Sequence, residues 1–319
     1  DGKKKNRWAD FFTMKRIRNL APDLILVNEM GSHRMMERLR SWPCRNRGVI
    51  NRNAPEAASG EMRNGANRIP RYLKELHVFS HLIGVSGRVL DKWTQLDDYS
   101  SASKTVIPNC CNEVEVRQLL ARSKEEVREG LGLPTNRFVA VCPASIQYRK
   151  GQDLLLKYIE RMPEVLFVLV GSIPATFGGP EIREAIEASS HADRFVWVEH
   201  TPKALDYVYA ADLMMLPTRS EALPRAVLEA MALKTPILTS DADGIPEMIE
   251  HGTHGHLFPV EQPEQMADAL KQAMEHGPRL IGAAHERYWN EFSRTRQIER
   301  YRSWLDHALT MDDETRTTH

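Results

Sequence analysis

ADLMMLPTRSEALPRAVLEAMALKTPILTS, residues 211–240, contains two apolar runs, DLMMLP and TPILTS, with a helical composition between them. Neither run alternates polar with apolar residues, so each reads as a strand buried on both faces. Pro224 lacks an N–H and has its φ preset, which suits the first turn of a helix, and PRAVLEAMAL behind it continues that helix. The segment therefore predicts strand, turn, helix, strand, with the turn at the carboxyl end of the first strand.

The same rhythm extends in both directions. From about residue 138, RFVAVCPA, EVLFVLVGS, RFVWVE and GHLFPV read as strands, and GQDLLLKYIERM, PEIREAIEASS, PKALDYVYAA and IPEMIEHG as helices. Apolar strands separated by amphipathic helices predict a parallel sheet covered on both faces, a doubly wound α/β domain. Residues 1–110 repeat the pattern more loosely, with strands at DLILVNE, RGVIN, HLIGVS and KTVIPN. Ser123 and Glu126 have capping-box spacing at a helix start, so the domain change is placed near residues 110–135. The expected organisation is an N-terminal Rossmann-like domain over 1–120, a second over 121–293, a helix over 294–309 packing back on the first, and a tail over 310–319. The chain opens at Asp1 without a methionine, and four strands are few for a complete doubly wound lobe. A truncated N-terminal lobe is the expectation, a processed or compact one the alternative.

Composition is that of a globular chain of 319 residues, long enough for two domains. Four cysteines, Cys44, Cys110, Cys111 and Cys142, have neither zinc-site spacing nor the density of a disulfide framework. No apolar run approaches the roughly 20 residues that cross a bilayer, and no secretory signal opens the chain. These features predict a cytoplasmic protein. Net charge is zero, yet residues 1–120 carry 21 Lys and Arg against 13 Asp and Glu. That basic third suits an anionic membrane face or an anionic acceptor, or is a solvated surface. Nothing points to nucleic acid.

Glu221 precedes the predicted helix and Glu229 lies inside it, about 7 to 8 Å along the axis at a rise of roughly 1.5 Å per residue. Carboxylates accept hydrogen bonds from hydroxyls and repel phosphate, so a sugar or ribose is their natural partner; solvated glutamates are the alternative. The helix start adds a positive dipole end at the carboxyl edge of the sheet. At the corresponding edge of another strand, ASIQYRKGQDLLL sets Arg149 and Lys150 before Gly151. Those cations suit a diphosphate, or are an exposed basic turn. Together the two sets outline a nucleotide-sugar pocket.

RKGQDLLL, LVGS and the segment from YAADLMMLP to HGHLFP resemble the donor domain of the GT-B retaining glycosyltransferases, family 4, including an E-x7-E element at Glu221 and Glu229. The resemblance covers roughly residues 75–310; residues 1–74 match in rhythm. It implies two Rossmann-like domains facing a cleft and transfer from a nucleotide sugar of UDP or GDP type, with retention and with no metal or other cofactor. The acceptor hydroxyl would belong to a sugar, lipid-linked or polysaccharide acceptor in cell-envelope polysaccharide or glycolipid synthesis, with work at the inner membrane face. It further implies that Glu229 binds the ribose and Glu221 the donor sugar. Lys150 and Arg149 would neutralise the leaving diphosphate, and Ala222, Leu223 and Pro224 would border sugar and phosphate. Ser145, Gly171 and Ser172 join the donor side, and Glu199, His200 and Thr201 the loop that reads the base. Relatives often have an arginine where this chain has Ser145, so Arg149 compensates or the phosphate grip is weaker. On the acceptor side, Arg52 and Asn53 stand where relatives often carry a histidine; His33, after the strand DLILVNE, is a further candidate by position, with a surface helix start as the favoured alternative. The glycine-rich loop of a full acceptor lobe is absent from this sequence. An inactive nucleotide-sugar-binding module and a GT-B nucleotide-sugar epimerase are the competing readings.

Two motifs mimic metal sites. HGTHGH, with His251, His254 and His256, reads better as a tight turn into a strand. Asp241 and Asp243 resemble an Asp-x-Asp metal signature but follow a strand in a loop before Gly244, where a structural or sugar-facing role is expected.

Overall fold

The computed structural model describes residues 24–28, 46–51, 80–95 and 103–316. Two compact units divide after Ile107, and the residues from Glu299 onward group with the first.

In the first unit, β1 (Leu24–Asn28), β2 (Asn46–Asn51), β3 (His81–Gly84) and β4 (Ser103–Val106) pair in parallel in the order of the chain. Ser86 caps helix α1 (Gly87–Thr94), its hydroxyl accepting from the Val89 N–H, and the helix buries Val89, Leu90 and Trp93. Ile50, Ile83 and Ile107 form one apolar cluster with Trp304 and Ala308 of the C-terminal helix (Arg294–Arg316).

The second unit opens with α2 (Glu113–Leu120) and α3 (Lys124–Gly130). Ser123 caps α3 through the Glu126 N–H at 3.0 Å, as its spacing predicts. Then follow β5 (Phe138–Pro143), a 3-10 turn over Tyr148–Lys150, α4 (Gln152–Lys157), β6 (Val165–Val170), α5 (Gly179–Glu187), β7 (Phe195–Val198) and α6 (Ala204–Ala210). The unit continues with β8 (Leu213–Leu216), α7 (Arg225–Ala232), β9 (Ile237–Ser240), α8 (Ile245–Met248), β10 (His256–Phe258) and α9 (Met266–Arg287). All six strands are parallel, in the order β10-β9-β8-β5-β6-β7.

Every residue of β6, β8 and β9 is buried, which is why these runs lack alternation. At roughly 1.5–3 kcal/mol for each large apolar side chain removed from water, this sheet supplies most of the unit's cohesion. One partly buried charge pair is integrated with it. Arg128 of α3 meets both carboxylate oxygens of Asp212 at 2.9 Å, and Asp212 also accepts from the Val139 N–H at 2.8 Å. Helix α3 is thereby tied to β5 and to the start of β8.

The strand order fixes the place of a ligand. From β5 the chain steps outward through β6 and β7, then returns to lay β8 on the other side of β5. Connections leaving β5 and β8 diverge, and a crevice opens between their carboxyl ends, where open α/β sheets bind ligands. Among the described residues, no helix is long and apolar enough to cross a membrane.

Candidate functional site

The loops after β5 and β8 meet because Gly151 lets them. Its φ is +76°, and a Cβ there would lie 1.7 Å from the Pro217 carbonyl oxygen, so only glycine permits this approach. The Arg149 carbonyl accepts from the Arg219 N–H at 2.8 Å and from the Thr218 hydroxyl at 3.0 Å. Arg219 in turn grips the Asp153 carboxylate with two bonds of 2.8 Å. The two loops are therefore closed by backbone and side chain together.

That closure delivers the charged groups. The Lys150 ammonium donates to the Glu221 carboxylate, and Arg149 Nη1 stands 3.6 Å from the same oxygen while donating to the Ser220 carbonyl at 2.8 Å. The Lys150 and Glu221 side chains are only 14% and 10% exposed, so water screens the pair weakly. Lys150, Arg149 and Arg219 are matched in number by Glu221, Asp153 and Asp243, so what this crevice offers an anion is directed cationic donors rather than a net positive charge. Neither partner is saturated: an ammonium has three donors, and a carboxylate about four acceptor positions.

The Glu221 backbone is held independently. The Asp243 carboxylate accepts from the Ser220 hydroxyl at 2.7 Å and from the Glu221 N–H at 2.8 Å, and the Gly244 N–H donates to the Glu221 carbonyl at 3.1 Å. Asp241 accepts from the Val260 N–H at 2.8 Å. Both aspartates of the Asp-x-Asp motif thus serve neighbouring backbone. The histidine motif does likewise: His251 and His254 accept from the N–H groups of Leu257 and Glu250, locking the turn into β10.

Pro224 sits at the cap of α7, and no side chain caps the helix's first N–H groups. Glu229, one turn into α7, is 9% exposed. Burial pushes its carboxyl up to about 7; Arg225 opposes the shift and Glu115 adds to it. Arg225, four residues earlier on the helix, reaches Glu229 with Nη2 at 3.3 Å. Near neutrality Glu229 exists in both protonation states, each able to bond a hydroxyl.

The remaining expected residues fall into three groups. Ser145, Gly171 and Ser172 lie where β5 and β6 end. The Ser145 hydroxyl accepts from the Gln147 amide at 2.7 Å, the Ser172 carbonyl accepts from the Ile146 N–H at 2.9 Å, and a Cβ on Gly171 would stand 2.3 Å from the Ala144 carbonyl oxygen. Ala222 and Leu223 are buried beside Glu221. Glu199 and His200 are exposed beyond β7, and the Thr201 hydroxyl accepts from the Lys203 N–H at 3.1 Å. Glu199 borders a cavity of about 390 Å³ with Ile173, Pro180, Arg183, Glu184 and Glu187. Arg183 pairs there with Glu187 at 2.7 Å and with Glu199 at 3.2 Å, one cation among three lining glutamates, so the cavity wall keeps a net negative charge. His33, Arg52 and Asn53 lie outside the described residues.

Sequence reasoning singled out Asp243 for a structural or sugar-facing role but not its contact with Glu221, and it missed Arg225 and Ser220. The i, i+4 spacing of Arg225 and Glu229 was a usable signal. The Asp243 contact had none, because it depends on the path of two loops 22 residues apart.

The family described as Glycosyl transferases group 1 matches residues 123–295, more than half of the chain. Alpha-galactosylglucosyldiacylglycerol synthase of Streptococcus pneumoniae is 26% identical over 76% of this chain and 66% of its own length. The lipopolysaccharide core biosynthesis mannosyltransferase LpsB of Rhizobium meliloti is 28% identical over 50% of this chain and 48% of its own. The chain thus spans less than two thirds of these relatives. HepE of Anabaena, solved with UDP and glucose, superposes with a TM-score of 0.74 at 19% identity, covering 92% of this chain and 81% of that one.

Proposed function

The chain belongs to the group 1 glycosyl transferases and has the GT-B type of fold, with Rossmann-like units, and from that premise we propose that it transfers a sugar from a nucleoside-diphosphate sugar to an acceptor hydroxyl. Retention at the anomeric carbon in the manner of family 4, and independence of a metal ion, are part of the proposal. The observation that carries it is the meeting of Lys150, Arg149 and Glu221 at the crevice between β5 and β8.

Lys150 and Arg149 face the diphosphate and stabilise the charge that grows as it leaves, the task a divalent ion performs in metal-dependent transferases. Glu221 accepts from donor-sugar hydroxyls and Glu229 from the ribose. The first turn of α7, with Ala222, Leu223 and Pro224, borders sugar and phosphate, and Ser145, Gly171 and Ser172 close the donor side. Glu199, His200 and Thr201 lie on the loop assigned to the base. The bond from anomeric carbon to diphosphate oxygen breaks with its electron pair staying on the phosphate. The acceptor oxygen bonds the same face, and its proton passes to the departing phosphate. The names of the relatives from Streptococcus pneumoniae and Rhizobium meliloti support a glycolipid or cell-envelope acceptor. The basic N-terminal third suits work at an anionic membrane face.

A thermal-shift screen against UDP-, GDP- and ADP-sugars tests this reading. At 100 times its Kd the true donor adds about 2.7 kcal/mol of stability. A flat response to all three classes would reject it.

A further inference from the structure

Asp243 is one of three described non-glycine residues with positive φ, at +43°. A left-handed backbone there favours glycine, and an aspartate accepts it at some cost. Its carboxylate holds two donors of the opposite loop, the Ser220 hydroxyl and the Glu221 N–H, at 2.7 and 2.8 Å. The next residue, Gly244, holds the Glu221 carbonyl from the same side. Glu221 is therefore fixed twice: its side chain by the two cations, its peptide groups by the loop after β9. The side-chain contacts belong to the crevice, whereas the Asp243 contacts lie on the backbone behind it.

We propose that Asp243 is a positioning residue for transfer, fixing the Ser220–Glu221 peptide so that the Glu221 carboxylate meets the donor sugar in register with Lys150. This rests on the donor reading above. A glycine at 243 relieves the backbone and removes the anchor, so strain and function separate. A general packing role would lower folding, nucleotide affinity and turnover together; a positioning role touches only the steps that need Glu221.

The test compares wild type with Asp243→Gly and Asp243→Asn. Amide exchange across residues 220–223, read without any ligand, should rise at least tenfold in Asp243→Gly. In that variant the affinity for the nucleoside diphosphate from the panel that binds wild type should stay within twofold. The rate of sugar release or transfer should fall at least tenfold, with Tm unchanged or raised. Both donors meet the same oxygen, Oδ2, so Asp243→Asn can keep both bonds through its amide oxygen and should stay close to wild type in exchange and rate. The proposal is overturned by unchanged exchange in Asp243→Gly, by an undiminished rate, or by parallel losses of Tm, diphosphate affinity and rate. If wild type binds no nucleoside diphosphate, the donor reading fails instead, and the exchange result alone decides whether Asp243 fixes the loop.

Discussion

Two glutamates eight residues apart occupy opposite electrostatic surroundings. Glu221, in the loop after β8, is met by Lys150 and Arg149 from the loop after β5. Glu229, inside α7, is buried against the helix's own exposed Arg225, and burial prevails: its carboxyl titrates near 7. The same residue type thus gives one carboxylate met by an ion pair and another whose protonated form burial favours. The strand order explains the contrast, because the β5–β8 crevice brings cations to one site, while the helix interior isolates the other.

Replacing Lys150 attacks the first environment. Lys150→Ala should slow transfer by about 10²–10³-fold, the usual loss when a preorganised charge is removed from a leaving group. The buried Glu221 carboxylate is then left with Arg149 alone at 3.6 Å, so Tm should fall while the fold persists, which circular dichroism will show.

Gly151→Ala tests how the cations are delivered. A methyl group against the Pro217 carbonyl, at φ +76°, should cost roughly 3 kcal/mol or displace the turn. At about 2–4 °C per kcal/mol for a unit of this size, calorimetry should find Tm lower by about 6–12 °C. An unshifted Tm would break the account of the loop closure.

Glu229 should behave in the opposite way, trading binding for stability. Its folded pKa lies above the unfolded value of 4.5, so the unfolded chain loses this proton first as pH rises. Its contribution to stability is therefore greatest below about pH 4.5, declines up to about pH 7, and is a penalty of about 3 kcal/mol above that. Glu229→Gln should raise Tm at pH 8 and flatten this part of the stability profile. Donor affinity in the same variant should fall about tenfold, as the amide keeps one acceptor oxygen and sets an NH2 donor where the second carboxylate oxygen stood.

Arg225→Met gives the smallest effect, since this guanidinium is largely exposed. The Glu229 titration, followed by carboxyl ¹³C NMR, should move upward, and Arg225→Lys should restore it.

The fold was legible because its signals are local. Unalternated apolar runs such as Leu213–Leu216 announced buried parallel strands, and Ser123 announced a helix start. The candidate site was legible as residue types: Glu221, Glu229, Arg149 and Lys150 were all singled out from spacing and turn position. Their present partners were not. Lys150 is expected from sequence to meet phosphate and Glu221 sugar, whereas in the structure each also holds the other, because that contact arises only when β8 is laid beside β5. Asp243 is expected from sequence in a loop with a structural or sugar-facing role, and its grip on Glu221 arises because β9 pairs with β8 and brings its following loop against the loop after β8.

The most direct test of the central claim, that cations hold diphosphate while Glu229 holds the nucleoside, is calorimetric titration of Lys150→Ala and Glu229→Gln with a nucleoside diphosphate and its monophosphate. Lys150→Ala should weaken the diphosphate by roughly 10- to 100-fold and leave the monophosphate nearly unchanged, whereas Glu229→Gln should weaken both alike. Wild-type affinity for both ligands in both variants would contradict the account.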